Sequence, residues 1–348
     1  MTRREGAHSA RRHFFYLFTC SSATLIFLSH PTTIAEPFHG RHHTLPDPPN
    51  MTHIAAPIHH APHAPRVFRR ALLPAVVATL VLVSTATAHD FWIIPDMFVF
   101  GTDAMIHASG RAGSRFPTGT PVQPARVADA RIIGATSQTK ITQLTVEGSS
   151  LRLHEKAPAT GQYVIAVTLT STPTRSTPSN MMRFLKAEGG AAEAARLESQ
   201  KALVGDSLVY RSTSYATAVV EVGRGGPRAF AVSTGLPLEF IPVNDPGHLH
   251  VGDTLHIRIV GNGKPVANIG VYAGPAVDTT VAASAPGTPA PSTSLSLAAD
   301  GEGVLHLPLT AATAWNLRAA FVYPTPGAAA NEWSIARTTY VFHVGAAH

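Results

Sequence analysis

The sequence predicts a mainly β protein built from two β-sandwich domains, of the immunoglobulin-like or transthyretin-like kind, with one inserted helical segment. From residue 89 onward, short runs with alternating apolar side chains are separated by clusters of Gly, Pro, Asn and Asp, a pattern typical of sandwiches. Residues 180–204 break this rhythm with helical spacing and a candidate N-cap. We therefore expect an N-terminal sandwich at residues 89–234 and an Ig-like sandwich at residues 235–348.

Two glycine-containing motifs refine this outline. Gly189-Gly190 interrupts the helical segment, and because glycine is a poor helix former, we expect two short helices. Gly261-Asn262-Gly263 lies between two strand-like runs and predicts a tight hairpin turn. A further Gly-rich stretch, residues 109–117, predicts a loop.

A secretory signal peptide is expected ahead of the first strand. A basic cluster at residues 66–70 precedes an apolar run at residues 71–83, and Ala86-Thr87-Ala88 follows it. This order is typical of export signals, and the apolar run is too short to span a bilayer comfortably. We expect cleavage between Ala88 and His89 and a periplasmic or secreted protein.

The residues before this signal have two interpretations. Met51 stands directly ahead of a complete signal peptide at residues 51–88. Residues 1–50 are then either a misassigned start or a genuine long leader with a His-rich tract. The sequence leaves open whether Met1 or Met51 begins the protein.

Charge and cysteine content exclude two classes of partner. Of the 27 basic and 21 acidic residues, 19 and 18 lie after residue 88, so the predicted mature part is almost neutral. A basic surface for nucleic acid is therefore not expected. The single cysteine, Cys20, lies in the leader, so neither internal disulfides nor a disulfide-linked partner is expected.

A mature chain that begins with His89 would carry two nitrogen donors on one residue, the α-amine and the ring Nδ1. Such donors suit copper, nickel and zinc. His107 follows the first strand and is expected to approach His89 across a hairpin, which would supply a third nitrogen. The alternatives are that His89 merely begins the first strand and that His107 is an ordinary half-buried residue.

A second candidate metal site combines His248 with His250. Their i, i+2 spacing places both rings on one face if the segment is a strand, and Asp245 could add an oxygen donor. The alternative is a polar pair on a solvent-facing turn. His154, His256 and His306 lie inside predicted strands and are interpreted as ordinary sheet residues.

Several landmarks, in this order and spacing, resemble the uncharacterised periplasmic domain family grouped with nickel- and cobalt-uptake (NikM-type) components. The landmarks are Ala88-His89-Asp90-Phe91-Trp92, Arg183-Phe184-Leu185, Tyr210-Arg211-Ser212, Leu236-Pro237-Leu238-Glu239-Phe240, Gly252-Asp253-Thr254-Leu255, Gly263-Lys264-Pro265-Val266, and Asp300-Gly301-Glu302-Gly303 followed by Trp315. The resemblance implies an exported β-rich protein associated with transition-metal uptake. It implies a membrane metal-uptake transporter or an outer-membrane receptor as partner, and it supplies no proven catalytic activity.

Three functions remain open at this stage. The first is an exported metal-binding accessory protein for nickel, cobalt or copper, with His89, His107, His248 and His250 as candidate ligands. The second is a non-enzymatic sandwich that binds a protein or a glycan. The third is a copper oxidase with an amino-terminal histidine brace. The sequence contains no nucleophile elbow, zinc-protease helix motif, P-loop or dinucleotide fingerprint, so we do not expect an enzyme.

Overall fold

A computed structural model describes residues 89–187, 190–276 and 294–347 of the chain. The predicted leader, the signal peptide and the Ala88 side of the expected cleavage site lie outside the described residues. None of the helices in the described ranges is long and apolar enough to cross a membrane.

The described residues form nineteen β-strands and two α-helices. The strands of the first half are β1 (Asp90–Pro95), β2 (Val99–Phe100), β3 (Met105–Arg115), β4 (Thr118–Pro121), β5 (Val127–Ile133), β6 (Gln138–Lys140), β7 (Gln143–Glu147), β8 (Ser150–Lys156), β9 (Gly161–Leu169), β10 (Pro173–Ser176) and β11 (Leu208–Val222). The strands of the second half are β12 (Leu238–Pro242), β13 (Thr254–Gly261), β14 (Lys264–Pro265), β15 (Gly270–Pro275), β16 (Leu295–Ala298), β17 (Val304–Pro308), β18 (Ala314–Pro324) and β19 (Glu332–His343). The helices are α1 (Pro178–Ala187) and α2 (Ala191–Ser199).

The strands form three sheets. The central sheet has ten strands in the order β16-β15-β18-β19-β11-β9-β5-β6, with β2 and β10 also paired to β11. The first outer sheet contains β1, β3, β8 and β7, with β4 paired to β3. The second outer sheet contains β12, β13 and β14, with β17 paired to β13. The predicted mainly β, sandwich-type fold with a helical insertion is confirmed.

The centre of the molecule is the parallel pairing of β11 with β19, which runs from Val209↔Glu332 to Ala218↔Val341. Ala216, Ala218 and Val220 of β11 belong to a core that includes the first outer sheet. Tyr215 and Val219 belong to a core that includes the second outer sheet. Because successive residues of a strand point to opposite faces, the two outer sheets cover opposite faces of the central sheet.

Strand β19 repeats this division. Val341 faces the first core, whereas Tyr340 and Phe342 face the second. Both central strands are therefore buried on two sides, which explains their nearly continuous apolar or small residues. The predicted boundary near residue 234 stays a prediction, but residues on both sides of it contribute to the second core.

The helical insertion covers another part of the face that carries the first outer sheet. Met181, Leu185 and Leu197 of the helices pack against Leu208 and Tyr210 of β11. The first helix ends at Ala187 and the second begins at Ala191. The predicted division of the helical segment into two is confirmed.

Of the two other glycine motifs, one forms the predicted structure and one does not. Asn262 and Gly263 have φ of 48° and 78° and connect the paired residues Gly261 and Lys264, so the predicted tight hairpin turn is confirmed. The predicted Gly-rich loop is wrong, because β3 continues to Arg115. A Cβ on Gly113 would lie 2.6 Å from the Thr118 carbonyl oxygen, so this glycine permits close strand pairing rather than a loop.

We expect Val341→Ala to destabilise both cores together, because Val341 lies on the strand that both cores share. Urea unfolding should show a loss of roughly 1–3 kcal/mol in the free energy of unfolding. Native-state hydrogen exchange should accelerate in peptides from both β8 and β13. Val204→Ala, at a side chain that is 70% exposed, is the matched control and should change neither. Acceleration confined to β8 would show instead that the cores unfold independently.

Candidate metal-binding histidine pairs

The first histidine pair lies on the first outer sheet, where His107 of β3 is directly opposite His154 of β8. Their Nδ1 atoms are 2.6 Å apart, and the ring centroids are 4.8 Å apart at an interplanar angle of 76°. Both side chains are half-buried and alternate with the buried residues Ile106 and Leu153. The pair therefore lies on the face of the sheet that points away from the core.

The surroundings of the first pair carry both signs of charge. Glu147 Oε1 is 3.8 Å from His154 Nε2. Arg152 Nη1 and Nη2 donate to the two Asp96 oxygens at 2.8 and 2.5 Å, and Arg152 Nε is 3.6 Å from Glu147. The hydrogen bond from Arg152 lowers the pKa of Asp96. One guanidinium therefore neutralises much of the acidic charge near this pair.

The second histidine pair lies on the second outer sheet, where His256 of β13 is opposite His306 of β17. The Nδ1 atoms are 2.7 Å apart, and the centroids are 4.9 Å apart at 79°. Asp300 Oδ2 is 3.4 Å from His306 Nε2. The other Asp300 oxygen accepts from the Val304 and Glu302 backbone N–H groups at 2.8 and 2.9 Å, and these bonds, led by that of Val304, lower the pKa of Asp300.

The two pairs share an arrangement suited to metal binding. In the second pair, Asp300 lies within hydrogen-bond distance of His306 Nε2, which favours the tautomer with the proton on Nε2 and a lone pair on Nδ1. In the first pair, Glu147 is 3.8 Å from His154 Nε2 and acts on the ring through its charge alone. Loss of the proton between the two Nδ1 atoms would leave two lone pairs directed at one point. At metal–nitrogen distances of about 2.0–2.1 Å, tetrahedral ligands are about 3.3 Å apart. An increase of about 0.6–0.7 Å in the separation of the two Nδ1 atoms would therefore admit an ion.

Each pair supplies two donors of its own. Among the described residues, no group of three or more His, Cys, Asp or Glu side chains is arranged to hold a metal ion. An ion at either pair would complete its coordination with water or with donors from another molecule. Such a site would be open rather than closed.

The segment at His89 is held to the central sheet by polar contacts. The His89 carbonyl accepts from Arg337 Nη1 at 3.3 Å, and Asp90 forms an ion pair with Arg318. The Phe91 carbonyl accepts from Thr339 Oγ1 at 2.7 Å. These contacts give the segment a structural role in attaching the first outer sheet to the central sheet.

The structure does not bring His107 to His89. In the β1–β3 register, Asp90 is opposite Gly113 and Pro95 is opposite Ala108. His107 therefore lies about 23 Å along the strand from the position opposite His89, at roughly 3.3 Å per residue. The expected three-nitrogen arrangement does not form, and its place is taken by the pairing of His107 with His154.

His248 and His250 do not share a strand face, contrary to the prediction. His248 ends a short 3₁₀ turn, Pro246–His248, and its side chain is 72% exposed. His250 forms an isolated bridge with Gly345 and lines a cavity of about 110 Å³ with His343. Burial lowers the pKa of His343.

Asp245, the predicted oxygen donor, is held by other groups. Arg228 Nε donates to it at 2.6 Å, and Gln162 Nε2 donates at 2.9 Å. This carboxylate therefore joins β9 to the segment that follows β11. His248 Nδ1 also lies 3.8 Å from its Oδ2, so the structure places the predicted oxygen donor beside His248.

Sequence reasoning missed His154, His256 and His306 as site residues. Their outward positions follow from the alternation of each strand, but the pairing register joins residues 47 and 50 positions apart. No local pattern encodes that register.

The chain is similar to one family of known domains. The model of the family described as a domain of unknown function, DUF4198, matches residues 86–322. The match does not connect the chain to nickel or cobalt uptake. No curated protein matches the chain.

Several solved structures are similar to the chain at low sequence identity. The Yersinia pseudotuberculosis adhesin InvE is 12% identical, with a TM-score of 0.20, over 73% of this chain and 60% of the adhesin. A DUF4785 family protein from Legionella pneumophila is 10% identical, with a TM-score of 0.21, over 65% of this chain and 50% of that protein. Escherichia coli alpha-2-macroglobulin is 10% identical, with a TM-score of 0.19, over 74% of this chain and 20% of that protein. The chain thus spans three fifths or less of these proteins.

We expect Asp96→Asn to be less stable than the natural chain at pH 7, because it loses the ion pair with Arg152. The loss should be no more than about 1 kcal/mol, since Asp96 is partly exposed and its charge is screened. Because the folded-state pKa is lowered, the deficit should shrink as the pH falls below the unfolded value of about 3.9. Urea unfolding across pH 3–7 measures this change.

Asp103→Asn is the control for this substitution. Asp103 is an exposed residue with φ of 58°, a conformation that asparagine tolerates equally well. The variant Asp103→Asn should therefore have the same free energy of unfolding as the natural chain at both pH 3 and pH 7. A pH-independent deficit in Asp96→Asn would contradict the assigned ion pair.

Proposed function

The chain belongs to the DUF4198 family of domains of unknown function, and from its side chains we propose that it is an exported protein that binds divalent transition-metal ions at the two histidine pairs. The observation that carries this proposal is the repetition of one arrangement. Two imidazole Nδ1 atoms converge, with a carboxylate at Nε2 of one ring, once on each outer sheet.

The donor set determines the class of ion. Paired imidazoles without thiolate suit nickel, cobalt, copper and zinc better than calcium or magnesium, which prefer oxygen ligands. Nickel, cobalt and copper are therefore the proposed cargo. The carboxylates act beside the metal rather than on it, by orienting the rings.

The second pair is the stronger of the two proposed sites. Asp300 is held by neutral backbone N–H groups, so its negative charge remains available to an incoming cation. At the first pair, Arg152 lies against Asp96 and Glu147, so a positive charge stands beside the pair and less negative charge is left for an incoming cation. Coulombic repulsion should lower affinity there.

Open coordination favours transfer over storage. Two nitrogen donors hold a divalent ion loosely and leave positions for ligands from a second protein. We propose a periplasmic or secreted accessory, released by cleavage between Ala88 and His89, that passes the ion to a membrane metal-uptake transporter or an outer-membrane receptor. In the β1–β3 register, His107 lies far from His89. The ring that was expected to complete a histidine brace is therefore not beside His89.

We expect His306→Ala and His154→Ala each to remove one bound nickel ion per chain. Each substitution leaves a single imidazole at its pair, which is too weak a ligand to retain the ion. Isothermal titration of the exported protein with Ni²⁺ measures the number of ions and their affinities. The double variant should lose both ions that depend on the pairs.

His248→Ala provides the control, because its side chain is 72% exposed and belongs to neither pair. It should retain the full number of ions. Unchanged stoichiometry in both His306→Ala and His154→Ala would reject the proposal and leave the pairs as cross-strand hydrogen bonds.

We expect Asp300→Asn to weaken nickel binding at the second pair by about 10–100-fold, since it removes the charge that orients His306. The same titration, carried out in His154→Ala to isolate the second pair, gives the affinity. Glu302→Gln, an exposed acid two residues away, is the matched control and should have little effect. Equal weakening of nickel binding in both variants would show that Asp300 contributes only through general surface charge and does not orient His306.

A further inference from the structure

We propose that the chain also binds a small organic carboxylate, in a groove on the face of the central sheet that carries the helices and the first outer sheet. The groove has a volume of about 380 Å³, within the size range of small-molecule sites. None of its lining residues belongs to either histidine pair.

The alternation of β11 shows why a groove exists there. On this face Leu208 and Tyr210 lie under the helices, and Ala216 and Ala218 lie under the first outer sheet. Between them the same face carries the small polar residues Ser212 and Ser214. The two coverings leave a gap over this polar stretch.

On the same face of the sheet, strand β19 also carries a polar residue between two apolar ones. Ile335 lies under the helices and Val341 under the first outer sheet. Arg337 stands between them on the same face. A charged residue at the centre of a ten-stranded sheet is costly unless it serves contacts of its own.

Those contacts hold Arg337 in place at the floor of the groove. Its Nη1 donates to the His89 carbonyl at 3.3 Å, and Nη2 donates to Ser214 Oγ at 2.8 Å. Its guanidinium carbon is 5.9 Å from the centre of the Phe184 ring. A guanidinium fixed in this way binds an anion with little further loss of side-chain entropy.

A second guanidinium lies at the rim. Arg126 is exposed and contacts Thr170 through Nε and Nη2 at 3.3 and 3.4 Å. The segment 170–174 contributes several hydroxyl groups beside it. Among the described residues that line the groove there are two arginines and no carboxylate, which favours an anionic ligand.

Two more features indicate an organic ligand rather than an inorganic ion. Ser212 Oγ is buried and has no hydrogen-bond partner among the described residues, so it can donate to or accept from a ligand atom. Phe184 and Tyr210, with ring centroids 5.5 Å apart, provide an apolar wall. A carboxylate attached to a short carbon chain would satisfy both kinds of surface.

Succinate is the probe, titrated by calorimetry into the metal-free exported protein, with inorganic phosphate as the comparison. We expect Arg126→Gln to weaken succinate binding tenfold or more, because it removes one of the two positive charges. Arg183→Gln removes an exposed arginine of α1 that lies outside the groove, and it should bind succinate like the natural chain.

Ser212→Leu tests the location of the site. The larger side chain should fill the groove and abolish succinate binding, while circular dichroism confirms the fold and nickel still binds at the histidine pairs. The proposal is overturned if succinate does not bind, or if Arg183→Gln weakens succinate binding as much as Arg126→Gln does. It is also overturned if phosphate binds as tightly as succinate and Ser212→Leu changes neither affinity.

Discussion

The parallel pairing of β11 with β19 is the constraint on which the rest of the structure depends. It joins strands more than a hundred residues apart along ten residue pairs and buries both faces of each strand. One face supports the first outer sheet and the helices, and the opposite face supports the second outer sheet. Every layer of the molecule is therefore attached to the same two strands.

The proposed sites occupy the places that this layering leaves uncovered. Each outer sheet has one buried face and one face toward solvent, and each histidine pair lies on the solvent-facing side, where a cross-strand register aligns two rings. The groove lies where the helices and the first outer sheet stop short of each other. His89 links these regions through its carbonyl, which accepts from the Arg337 that forms the floor of the groove.

Local patterns predicted the elements but not their long-range arrangement. Alternation predicted the strands, Gly189-Gly190 predicted the break between the helices, and Asn262-Gly263 predicted the hairpin. The opposite placement of the outer sheets was not predictable, because β11 is apolar or small on both faces. The histidine pairs depend on register between distant strands, which side-chain alternation leaves undetermined. Gly110 and Gly113 resemble loop glycines in sequence and serve close strand packing in the fold.

The central functional claim is that imidazole pairs hold the metal. Electron paramagnetic resonance of the exported protein loaded with one equivalent of Cu²⁺ tests it most directly, because coupling to nitrogen counts the imidazole ligands. Two equivalent imidazoles are expected on the ion. Because either pair can supply them, the pattern should be lost in the double variant His256→Ala/His107→Ala, which leaves one ring at each pair, and kept in His248→Ala. A signal from one imidazole with an amine, unchanged in the double variant, would contradict the claim and assign the ion to the amino terminus.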